Sequence, residues 1–275
     1  MRWINKYRRA LPLVTMQTIL LQAPPAMAHD FWIEPQTFRP MVGEPVPIVL
    51  RVGQDFTGTS QPLIPQWFSD YAARGPTGVE EIAGYIGDDP AGSFTPDAPG
   101  DWMIGYRSTQ AFVEIEPAKF NTYLEKEGLE WVMAVREERG EGDTNARELY
   151  SRCAKSLIRA GDEAVSGGYA TPLGYTLELI PERDPYAMAP GDALPLSLLY
   201  QGNPLANILV IAFTAEHPDE QQLLRTNDDG RVIVKLTKPG VWLIKGVHII
   251  ETPDTEERAD WESFWASLTF QLGDA

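Results

Sequence analysis

Two segments of this chain recur later in the same order, and that repetition limits the possible folds more than any other feature. Gly43-Glu44-Pro45-Val46-Pro47-Ile48-Val49-Leu50 is answered by Gly191-Asp192-Ala193-Leu194-Pro195-Leu196-Ser197-Leu198, a turn followed by an extended run in both. Further on, Pro99-Gly100-Asp101-Trp102-Met103-Ile104 is answered by Pro239-Gly240-Val241-Trp242-Leu243-Ile244. A Pro-Gly turn feeding Trp-x-Ile suits the start of a late core strand in a β-sandwich: glycine supplies positive φ and the indole anchors the sheet face. Two echoes in one order predict a pair of related domains. The expected fold class is mainly β, with two immunoglobulin-like or transthyretin-like sandwiches.

Between the halves the texture becomes helical. Pro117 suits a first helical position, Phe120, Tyr123 and Leu124 recur at helical spacing, and Gly128 is a stop. A second helix is predicted over Leu129 to Arg139. After the Gly140-Glu141-Gly142 loop, Asp143 or Thr144 caps a predicted third helix, in which Leu149, Cys153 and Leu157 fall four apart on one stripe. The helical segment so defined runs over 117–168, between an N-terminal sandwich over 29–116 and a C-terminal one over 169–275. In the latter, strands are predicted for Leu173 to Ile180, Leu194 to Tyr200, Asn207 to Ala215, Arg231 to Leu236 and Val241 to Ile250. Thr226-Asn227-Asp228-Asp229-Gly230 reads as a hairpin turn. With its Gly-Asn-Pro-Leu turn and Pro-Gly-x-Trp strand, this half resembles a transthyretin-like or carboxypeptidase-regulatory sandwich, a module that binds or supports more often than it catalyses.

The N-terminus reads as a signal peptide. Arg2, Lys6, Arg8 and Arg9 give a basic start, Ala10 to Leu21 is mostly apolar, and Ala26-Met27-Ala28 supplies small residues for cleavage after Ala28. The apolar run is shorter than the roughly 20 residues a bilayer span needs and ends in Pro24-Pro25. The expected location is the periplasm, with no membrane span after cleavage. Loss of residues 1–28 would move the net charge from −16 to about −20, because the leader carries four basic and no acidic side chains. An acidic chain repels nucleic acid and anionic membranes and concentrates cations. Cys153 is the sole cysteine, which excludes an intramolecular disulfide, and its apolar stripe makes it a buried small hydrophobe instead of a reactive thiol.

Cleavage after Ala28 would make His29 the new N-terminus, where one residue offers an α-amine and an imidazole. These two nitrogens form a chelate that one further imidazole completes as a histidine brace, a donor set suited to copper, or to nickel or cobalt with added oxygen ligands. The chain holds only two other histidines, His217 and His248. His248 is the preferred partner, near the end of a predicted strand on the side of Trp242, Ile244 and Gly246. By the Pro-Gly alignment its counterpart in the first half is Ser108, so it marks a task of one domain only. His217 sits in the acidic stretch Ala215-Glu216-His217-Pro218-Asp219, read as a loop, and is a third candidate ligand. Asp30, Glu34 and Glu216 are candidate oxygen ligands.

Several separated motifs carry a family resemblance. His29-Asp30-Phe31-Trp32-Ile33-Glu34-Pro35, Phe120-x-x-Tyr123-Leu124-x-x-Glu127-Gly128-Leu129, Arg147-Glu148-Leu149-Tyr150-Ser151-Arg152-x-x-Lys155, Arg183-Asp184-Pro185-Tyr186 and Trp242-Leu243-Ile244-x-x-Val247-His248 together resemble the DUF4198 family. The resemblance implies an exported protein similar to periplasmic components linked to nickel or cobalt uptake, with a membrane metal-uptake component as partner.

Three function classes compete at this point. The first is a periplasmic protein that binds or delivers a divalent transition metal, not an enzyme. The second is a metal-free interaction or scaffold module, and the third a copper oxygenase using the brace, for which Trp32, Trp67 and Tyr71 are the nearby aromatics. No phosphate-binding glycine motif or Ser-His-Asp arrangement stands out. Arg147, Arg152, Arg183 and Lys155 either hold the helical segment against acidic loops or form an anion pocket.

Overall fold

The computed structural model describes residues 29–161, 167–253 and 255–273. The leader and its cleavage after Ala28 lie outside the described residues. The first half comprises β1 (Asp30–Pro35), β2 (Val46–Gln54), β3 (Thr57–Gln61), β4 (Phe68–Gly75), β5 (Gly78–Glu81), β6 (Ser93–Phe94), β7 (Gly100–Ser108) and β8 (Ala111–Ile115). Helices α1 (Pro117–Lys126) and α2 (Glu130–Glu138) follow, and then the long strand β9 (Ala146–Ala160). The second half holds β10 (Leu177–Pro181), β11 (Ala193–Tyr200), β12 (Asn203–Pro204), β13 (Leu209–Thr214), β14 (His217–Arg225), β15 (Arg231–Lys235), β16 (Gly240–Glu251) and β17 (Trp261–Leu272).

Nine strands form one sheet in the order β14-β13-β16-β17-β9-β7-β4-β5, with β8 beside the first part of β9. Two four-stranded sheets complete the fold, β1-β2-β3 with β6 on β2, and β10-β11-β12 with β15 on β11. The halves are therefore two copies of one sandwich. They join where β17 runs parallel to β9, Trp261 opposite Glu148 through Thr269 opposite Ser156. Parallel strands related in this way turn opposite faces outward, so the small sheets lie on opposite faces of the large one. On β7, Trp102, Ile104 and Tyr106 face the core under the first small sheet, whereas Met103 joins the core under the second.

The Pro-Gly echo marks equivalent positions in the two copies. Gly100 and Gly240 both take positive φ, 126° and 118°, as the turn into β7 and β16 requires. Trp102 donates through Nε1 to the Ala98 carbonyl at 3.2 Å, and Trp242 to the Lys238 carbonyl at 3.1 Å. Both indoles are fully buried. At ~25 cal/mol per Å² each contributes roughly 4 to 6 kcal/mol as an upper bound.

Helices α1 and α2 form as the sequence predicts, with Pro117 opening α1 and Gly128 at φ 69° behind it. They lay Phe120, Tyr123, Leu124 and Val132 against Val247, Ile249, Trp261 and Trp265 of the large sheet. None of the helices among the described residues is long and apolar enough to cross a membrane.

The predicted third helix is a correction. Residues 146–160 are β9, next to the centre of the large sheet, so among the described residues of 117–161 α-helix is confined to α1 and α2. A spacing of four is also two steps of a strand's alternation, which is why Leu149, Cys153 and Leu157 line one face in either conformation. Cys153 is buried, and that burial pushes its thiol up to about 11. The acidic stretch around His217 is the second correction. After a two-residue turn, His217 opens the edge strand β14.

Candidate functional site at the N-terminal strand

His29 directly precedes β1, whose first residue, Asp30, is buried. Asp30 Oδ1 accepts from Lys245 Nζ at 2.6 Å, and the same ammonium reaches Glu127 Oε1 at 2.8 Å. Three elements meet here: β1, the end of α1 and the middle of β16. One cation serves two buried carboxyls, so burial raises both carboxyl pKa values while Lys245 opposes the rise, and Lys245 itself stays protonated above its ordinary range. A matching pair ties the second small sheet to the large one, Lys155 of β9 to Glu178 of β10 at 2.9 Å.

The His29 ring is partly buried beside this cluster. Burial lowers its pKa first and the Arg152 charge adds to that, against Asp30, which raises it. The imidazole is therefore held toward the neutral form, the form that ligates metals.

His248 lies elsewhere. Along β16, Lys245, Val247 and Ile249 face β1 and the helices, so His248 is directed through the opposite face. There its ring stands 4.7 Å from that of Tyr200 and 6.5 Å from that of Phe264, and burial lowers its pKa. It borders a cleft of about 410 Å³ beyond the last β13 partner of β16, shared with Trp131, Asn207 and Arg225. His217 is exposed at the outer edge of the sheet, its Nδ1 3.7 Å from Glu220.

The structure does not bring the three histidines together, because the backbone of the large sheet separates His248 from Asp30 and its neighbour His29. The candidate oxygen ligands are also partly engaged: Asp30 with Lys245, and Glu34 with Arg51 at 3.0 Å. Among the described residues, no group of three or more His, Cys, Asp or Glu side chains is placed to hold a metal ion. With His248 and His217 placed elsewhere, no second imidazole among the described residues stands beside His29.

The basic residues named from the sequence separate in the same way. Arg147 bonds Asp260, Lys155 bonds Glu178, and Arg183 donates to the Ala193 carbonyl, which are packing roles. Arg152 stacks on Phe31 and Tyr150 instead.

Sequence reasoning missed the cluster around Lys245. A readable signal existed, since a lysine inside the apolar run Val241 to Ile250 must either leave the core or meet a carboxylate. It also missed Glu148, which is fully buried beneath α1 beside Ser263 and Tyr123. Burial pushes its carboxyl pKa up to about 7, with the two hydroxyls opposing.

Comparison with known proteins gives one family match: residues 26–250 match the family described as "Domain of unknown function (DUF4198)". No curated protein matches the sequence. Among solved structures, the D0-D1 domain of intimin is 12% identical, with a TM-score of 0.21 over 88% of this chain and 97% of that one. A mutant of Salmonella alpha-2-macroglobulin is 11% identical, with a TM-score of 0.24 over 94% of this chain and 16% of that one.

Proposed function

The chain belongs to the DUF4198 family, and on that footing we propose that it is an exported, periplasmic protein that binds or delivers nickel, cobalt or copper through His29 as its mature N-terminus. The observation that carries this reading is the anchoring of Asp30. Because Asp30 is buried and bonded to Lys245 at 2.6 Å, the fold itself holds the adjacent residue in position, unlike a frayed end.

The chemistry follows from two nitrogens on one residue. The ring is already disposed to be neutral, and the α-amine, with a reference pKa of roughly 7.7 to 8.0, gives up its proton to a divalent ion near neutrality. Arg152 works against a bare cation, so affinity rests on chelation and on ligands brought by solvent, solute or a partner. Such incomplete coordination suits an ion that is to be handed on, for which a membrane uptake component is the proposed recipient. The oxygenase alternative loses its third nitrogen, since His248 faces away.

A metal-free binding module is the second reading. The cleft beside His248 favours it, since an aromatic residue, Trp131, and a polar one, Asn207, both line it. Calorimetric titration of the protein starting at His29 with Cu(II), Ni(II) and Co(II) separates the two. The metal reading expects binding that weakens at least about tenfold when one residue is added before His29. Equal binding by the extended protein sinks it.

A further inference from the structure

We propose that Arg152 is the core of a binding site for a small carboxylate at the edge of the first sandwich, between the rings of Phe31 and Tyr150 and beside His29. The buried cations elsewhere in the molecule are matched within the fold. Lys155 meets Glu178, Lys245 meets Asp30 and Glu127, and Arg159 meets Asp101 and Asp184. Arg136 donates to the carbonyls of Glu141 and Thr144. Arg152 is different: among the described residues its guanidinium pairs with no carboxylate and donates to no carbonyl.

Its surroundings are aromatic. The guanidinium carbon stands 5.3 Å from the centre of the Phe31 ring and 5.1 Å from that of Tyr150. Arg152 is half-buried, and cation–π contact offsets only part of the hydration that its guanidinium gives up. Burial accordingly lowers its pKa, opposed only by the phenols of Tyr150 and Tyr106. Its nitrogens are not sealed, since none of them is among the buried unpartnered polar atoms. A half-buried cation that is unpaired and reachable is open to an anion.

The chemistry narrows the ligand class. A guanidinium presents a planar fork that matches a carboxylate through two parallel hydrogen bonds. The fork is single and flanked by the rings of Phe31 and Tyr150, which matches the two coplanar oxygens of a monocarboxylate better than the tetrahedral oxygens of a phosphate. The chain as a whole carries −16, so long-range attraction does not gather anions and short-range bonding must select them. A carboxylate can come from a free organic acid or from the C-terminus of a peptide, and both present the same two oxygens.

The site is independent of the metal reading, and its test is run on protein stripped of metal and then dialysed into chelator-free, metal-free buffer, so that failure of one leaves the other standing. Acetate stands for the free acid and an N-acetylated dipeptide for the chain end, and each is titrated while the Arg152 Nε–H resonance is followed by NMR. The expected result is a saturable shift, lost or weakened at least about tenfold in Arg152→Gln and at least about threefold in Arg152→Lys, which keeps the charge without the fork. Arg258→Gln, a surface control, keeps the affinity. If Arg152→Gln does not fold, the lysine variant decides. Overturning results are the absence of a saturable shift in the unaltered protein, unchanged affinity in Arg152→Lys, or tighter binding of phosphate than of either carboxylate.

Discussion

Lys245 donates to Asp30 at 2.6 Å through the interior, linking the first described strand to the penultimate one across 215 positions of sequence. With Glu127 at 2.8 Å from the same nitrogen, the ammonium holds together two carboxyls that would otherwise repel each other. Lys245→Met removes the cation and leaves two buried acids. A loss of about 3 to 5 kcal/mol is expected in urea unfolding at pH 7. The deficit should shrink on acidification, as the carboxyls take up protons and no longer need a partner. A loss below about 1 kcal/mol at pH 7 would show that the cluster is replaceable.

Glu148 sets a pH dependence of opposite sense to the usual acid denaturation. Its folded pKa of about 7 stands above the ordinary carboxyl value of 4.5, so the folded state binds its proton more tightly than the unfolded chain does. Below the unfolded pKa both states are protonated and there is no penalty. As pH rises from 4.5 to about 7, this residue's contribution to stability falls by on the order of 3 kcal/mol, then levels off. Glu148→Gln keeps an acceptor for Ser263 and Tyr123 and cannot ionise. It should be more stable than the unaltered protein at pH 8 and nearly equal at pH 4, as read from urea midpoints. Equal stability at both values would mean that the carboxyl stays ionised at little cost.

The fold was legible where one physical signal had one meaning. Pro-Gly-x-Trp requires a positive-φ turn and a buried indole, and both copies, at Trp102 and Trp242, supply them. Leu149, Cys153 and Leu157 failed because spacing by four satisfies helix and strand alike, and only the neighbours β7 and β17 decide between them. The site was half legible. His29 is where a chelating terminus needs to be, but the choice of His248 depended on which face of β16 meets β1. Sequence alternation gives the relative sides of two residues on one strand and says nothing about which sheet covers which side. Lys245, three positions before His248, carried that information, since its carboxylate partners fix the face.

The continuous sheet predicts that the two sandwiches unfold as one. Trp102→Phe and Trp242→Phe each remove an indole N–H bond and some buried area. Each should cost about 1 to 3 kcal/mol, and the two costs should agree within about 1 kcal/mol. Because β9 and β17 share a ladder of nine residue pairs, from Glu148–Trp261 to Ser156–Thr269, both substitutions should shift a single transition. Tryptophan fluorescence and far-UV circular dichroism measured across urea would report it. Two separated transitions in either variant would show that the sandwiches are energetically independent despite their joint.

The faces of β16 also decide what the histidines can do for each other. His29 lies beside Asp30 on the side that Lys245 reaches, while His248 packs on Tyr200 through the other side. Residues separated by a sheet share no ligand, so their contributions to metal affinity should not couple. His29→Ala should remove most of the affinity of the protein starting at residue 29 for Cu(II) or Ni(II), whereas His248→Ala should leave it within about twofold. In a double-mutant cycle the coupling should be below about 0.5 kcal/mol. Coupling of 2 kcal/mol or more would require the imidazoles to meet on one ion. That would demand a rearrangement of β1 that breaks the Asp30–Lys245 bond, and the same titration repeated on Lys245→Met would then show tighter binding instead of an unchanged or weaker one.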